Sequence, residues 1–191
     1  MAGVASPMLR RNVSEGLRFL AGLAVGGLVA GMVLAVPVYL IGSAVGELVP
    51  ETWRVVALVA LAVLFGVLDL LDRTPHIWRQ VPQRLVRSLP AGTLGVVWGI
   101  DLGLLFTTQK TTSLIWLATA GVVLVAPGSA PLVLVVTALT VTLLVTLWSL
   151  TRKAAEIEER SDRLWVSRVR RVSGAAMLLL AAALAVTVVS P

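Results

Sequence analysis

Two groups of polar residues stand where an otherwise apolar chain has the means to do chemistry. The larger is Thr107, Thr108, Gln109, Lys110, Thr111, Thr112 and Ser113, set within the apolar run 91–126, with Asp101 ahead of it. A helix broken at 107–113 presents the start of its second half, near Ser113, with backbone N–H groups that lack carbonyl partners and with the positive end of its dipole. Together with the Lys110 ammonium and the threonine hydroxyls, that end is a candidate site for an anion or a polar headgroup. On an unbroken helix Asp101 and Lys110 lie about 180° apart, so they pair only if the helix breaks. The alternative is an outer loop or helix cap at headgroup level, with Lys110 snorkelling to water.

The second group is Asp69, Asp72 and His76. Carboxylates and an imidazole at that spacing are candidates for a divalent cation. Pro75 interrupts the helix they would share, however, and the sequence assigns no metal site. Asp69 and Arg73 have the i,i+4 spacing that permits an ion pair. The chain has no cysteine and a single histidine, which excludes disulfides, thiolate metal sites and thiol redox chemistry. No cofactor-binding motif and no catalytic residue is assigned, and the balance of features leans away from an enzyme.

The elements that must position these residues read as membrane helices. Hydrophobic residues make up 58% of the chain and charged residues 14%, against roughly half and a quarter in globular domains. The expected fold is an all-α integral membrane protein of about five transmembrane helices, the central one open to a break, plus a cytoplasmic amphipathic helix. After a cytoplasmic N-terminal segment, 1–18, a single transmembrane domain covers 19–190. Its spans are 19–46, 54–71, 91–126 interrupted at 107–113, 131–150 and 172–190, each long enough for a hydrocarbon core about 30 Å thick. Span 19–46 exceeds that core and must tilt, project or bend; Pro37 supplies a place to bend.

Charge counting fixes the crossings. If 91–126 crossed twice, the basic residues of 73–87 and 152–171 would fall on opposite faces, with no bias between them. If it crosses once, all but Arg54 and Lys110 of the 16 Lys and Arg lie on one face, as the positive-inside rule expects of the cytoplasm. The five-span reading therefore places the N-terminus in the cytoplasm and the protein in the plasma (inner) membrane. It also exposes a faint internal repeat, in which Pro37 of the first half corresponds to the polar break of the second.

Gly95, Gly99 and Gly103 form a tandem GxxxGxxxG, the strongest helix-packing signal in the chain, and Gly22, Gly26, Gly27 and Gly31 form shorter rows. Residues 153–171 have one apolar face carrying Trp165 and charges elsewhere, the pattern of a helix lying on the cytoplasmic surface. The net charge of +6 gathers beside apolar runs, without the aromatic–basic surface that nucleic acid requires. The expected partners are the lipid bilayer and other membrane-protein subunits or further copies of the chain. The sequence thus predicts a non-catalytic membrane subunit or anchor that packs with partner helices. A small transporter or permease component, with a polar or anion site around Lys110 and Asp101, is the alternative.

Overall fold

A computed structural model describes residues 12–75, 88–104, 112–151 and 159–189 of the chain. Among them there are six α-helices and no strand: α1 (Val13–Leu48), α2 (Glu51–Leu70), α3 (Ala91–Gly103), α4 (Leu114–Val125), α5 (Ala130–Thr151) and α6 (Glu159–Val189). Four segments, Val13–Leu48, Glu51–Leu70, Pro127–Leu147 and Trp165–Thr187, are long and apolar enough to cross a bilayer. Large apolar side chains on them stay exposed, such as Leu132 at 70% and Leu179 at 72%, which is tolerable only where the surrounding medium is itself apolar. The chain is an all-α membrane protein.

Local chemistry explains the boundaries. Asn12 starts α1, its Oδ1 accepting from the backbone N–H of Ser14 (3.1 Å) and Glu15 (3.5 Å). Pro50 and Pro90 precede α2 and α3, where a missing N–H costs nothing. Pro37 sits inside α1, and the 36-residue helix continues through it to Leu48. At the end of α2, Asp72 takes φ 58° while its N–H donates to the Asp69 carbonyl (3.1 Å) and Arg73 N–H donates to that of Leu68 (2.8 Å). This is a Schellman stop with aspartate at the position glycine usually holds. Between α4 and α5 a single 3-10 turn, Pro127–Ser129, reverses the chain, with Ser129 Oγ donating to the Ala126 carbonyl at 2.7 Å.

The helices gather into two compact units: Met1–Ala35, Ile77–Gln109 and Pro131–Glu156 form one, and Val36–His76, Lys110–Ala130 and Ile157–Pro191 the other. In the first unit α3 lies along α1 in the same direction. A methyl group at Gly95 would collide with the Phe19 carbonyl, one at Gly99 with the Leu23 carbonyl, and one at Gly103 would come within 2.7 Å of Ala30 Cβ. Gly22 and Gly26 of α1 are closed in the same way by the carbonyls of Gly92 and Val96. The glycine row of α3 therefore faces α1 of the same chain. Helix α5 runs the other way along α1, Val135 beside Gly31 and Thr142 beside Gly27. Phe19, Leu20, Leu23, Leu94 and Trp98 form the core, with the Phe19 and Trp98 rings edge to face at 5.8 Å.

In the second unit α2 lies between α4 and α6, antiparallel to both: Leu58 approaches Gly121, Asp69 meets Ser113, and Gly66 and Leu70 meet Gly174. A methyl at Gly174 would stand 2.7 Å from the Gly66 carbonyl, so Gly66 and Gly174 make a second close approach that the glycine rows of the sequence did not announce. Leu58, Ala62, Leu117, Met177 and Ala181 are its core. The amphipathic segment also differs in form from the expectation. From Glu159 onward it is continuous with the last span, a single helix of 31 residues, about 46 Å long.

Candidate functional site

Helix α4 is only 12 residues long, about 18 Å, and Ser113 at its start is fully buried. Its free backbone groups must be satisfied by protein. The neighbouring α2 supplies a charge at each end. At the start, Asp69 is fully buried, 0% exposed. Its Oδ2 accepts the Ser113 backbone N–H at 2.8 Å, and its Oδ1 accepts the Ser113 hydroxyl at 2.6 Å and the Thr74 hydroxyl at 2.7 Å. At the finish, Arg54 donates from Nη1 to the Leu124 carbonyl at 3.1 Å. A carboxylate at the positive end of a helix and a guanidinium at its negative end each contribute about 0.3–1 kcal/mol, up to ~2 where partly buried.

The register follows from simple geometry. Arg54 and Asp69 lie on a helix that rises 1.5 Å per residue, which sets them about 22 Å apart. That is α4 plus the overhang of its two capping groups. Trp116, one turn into α4, donates from Nε1 to the Pro75 carbonyl at 3.3 Å and ties the same end to the chain leaving α2. Buried and fully bonded on its described side, the Asp69 cluster is a structural joint that fixes where α4 begins.

Of the predicted site residues, Asp101, Thr112 and Ser113 lie among the described ones. Ser113 stands at the start of α4 as expected, yet the anion it meets is the chain's own Asp69 carboxylate. Thr112 is half-buried beside it. Thr107, Thr108, Gln109, Lys110 and Thr111 lie outside the described residues, as does His76. Asp101 belongs to α3 of the first unit, 8% exposed and engaged in a polar interaction.

Asp69 and Asp72 do not act together. Asp69 turns toward Ser113 and Thr74, while Asp72, at 40% side-chain exposure, faces Arg170 (4.0 Å) and accepts from Ser167 Oγ (3.2 Å). Among the described residues no group of three His, Asp or Glu could hold a metal ion. Nor is there an ion pair between Asp69 and Arg73 among them; the buried hydroxyls and the α4 N–H reach the carboxylate instead.

Sequence reasoning missed Arg54, which entered only as one of two outer basic residues. Its signal was its distance along α2 from Asp69, which matches the length of the apolar stretch after Ser113. Neither a protein-family model, nor a curated protein, nor a solved structure matches this chain.

Proposed function

We propose that the chain is a non-catalytic membrane subunit or anchor, five crossings deep, with its N-terminus in the cytoplasm of the cell whose plasma membrane holds it. The observation that carries this reading is the use made of Asp69 and Arg54: both charges are committed to the ends of α4. Ionisable groups on membrane helices default to a functional reading; the partners of these two favour a scaffolding role.

Helix length supports the five crossings: neither α3 nor α4 is long enough to be a full span by itself. The glycine seam is already closed between α1 and α3, so a partner would meet the chain on other faces.

The test is purification of the full chain from its native membrane in mild detergent after mild cross-linking. A second protein should be recovered at fixed stoichiometry; a stable, homogeneous monomer under the same conditions would overturn the proposal. The alternative, a small transporter component, is favoured by one observation, the burial of Asp101 on the helix that leads into 105–111. It predicts that Lys110 gains protection from an impermeant amine reagent when the transported solute is present.

A further inference from the structure

The first described turns of α6 divide their polar residues between two faces. Ser167 and Arg170 turn inward: Ser167 Oγ donates to Asp72 Oδ2, and Arg170 Nη1 donates to the Asp72 carbonyl at 3.3 Å. Ser173, Gly174, Met177 and Ala181 continue that buried face. Trp165, Arg168, Arg171 and Val172 lie opposite. At 100° per residue they share a sector of about 120°, and all four are exposed, Trp165 at 63% and Val172 at 71%. Neither Arg168 nor Arg171 has a polar partner among the described residues. Two guanidiniums three residues apart are neighbours on a helix surface and repel one another unless an anion lies between them.

The surroundings say which anion. The apolar segment able to cross the bilayer begins at Trp165, so both arginines lie in its first two turns. An indole belongs at headgroup level, with apolar neighbours on one side and water on the other. Val172 and Leu179 on the same face are exposed apolar groups that only acyl chains suit. The geometry points to a binding site for the phosphate of an anionic phospholipid, clasped by Arg168 and Arg171, with the indole of Trp165 above it and the acyl chains along Val172. Asp72 is the positioning residue: it draws Arg170 inward and so fixes which arginines face the lipid.

The experiment uses the full purified chain in zwitterionic detergent, with native mass spectrometry of retained lipid. Phosphatidylglycerol is compared with phosphatidylcholine, and inorganic phosphate serves as the soluble control. Wild-type protein should retain phosphatidylglycerol in preference. The double variant Arg168→Gln, Arg171→Gln should bind it about thirtyfold less tightly, from roughly five- to sixfold per arginine near a charged surface. Arg170→Gln should lower thermal stability and leave the lipid preference in place. Equal retention of the two lipids by wild type would overturn the site, as would an unchanged preference in the double variant. Competition by inorganic phosphate at millimolar concentration would also overturn it, because it would make the ligand a free anion. Should the double variant fail to fold, the two single variants, each expected to lose about five- to sixfold, decide the same question.

Discussion

Asp69 carries the highest stakes of any single side chain described. Replacing it with alanine removes the acceptor for the Ser113 N–H, the Ser113 hydroxyl and the Thr74 hydroxyl at a position with no access to water. Each buried donor left unsatisfied costs about 1–3 kcal/mol, so Asp69→Ala should destabilise the protein by about 3 kcal/mol or more. Asp69→Asn keeps one acceptor oxygen and should cost roughly half as much. Thermal unfolding in detergent measures both, and an alanine variant that melts with wild type would show that the carboxylate does not hold α4. Arg54 should behave differently. Its Nε is buried without a partner, so Arg54→Met loses the bond to Leu124 but relieves that group. The expected net change is no more than about 1 kcal/mol.

At the scale of elements, glycine contacts are places where helix backbones touch. Gly99→Ala drives a methyl group into the Leu23 carbonyl, and backbone on both sides leaves nothing soft to move. Overpacking of this kind costs about 1–3 kcal/mol, and the upper half of that range is expected here. Gly128→Ala is the matched control, because a methyl there meets nothing within 4 Å; its effect should stay within about 0.5 kcal/mol. Unfolding of both variants side by side would settle whether cost follows the seam or glycine content. The end of α2 offers a sharper contrast. Asp72→Gly removes the strain of a left-handed aspartate but also the side-chain acceptor for Ser167. Comparable stability, with hydrogen exchange rising at Ser167 and Arg170, is the expected outcome.

For the whole molecule, the cysteine-free chain is its own background for topology. Gln83→Cys and Ser161→Cys should resist an impermeant maleimide added from outside, while Lys110→Cys should react from that side or from neither. Labelling of Ser161→Cys from outside would sink the five-crossing arrangement.

Composition and periodicity alone were enough to establish an all-α membrane protein, because a bilayer admits helices of a certain length and little else in a chain of this kind. The seam of Gly95, Gly99 and Gly103 was equally legible, since small residues at fourfold spacing have few other uses in lipid. What filled the seam was not, because sequence records which face is small and not which helix approaches it. Only tertiary structure chose α1. The polar break shows the same division. Ser113 was visible as a helix start in need of an anion, while Asp69 was read against its neighbours Asp72 and His76, close in sequence. The carboxylate that answers Ser113 comes from another helix, and nothing local in the chain says that α2 and α4 lie side by side. Electrostatics at a helix end is fixed by the residues present; which charge meets which end is decided by packing.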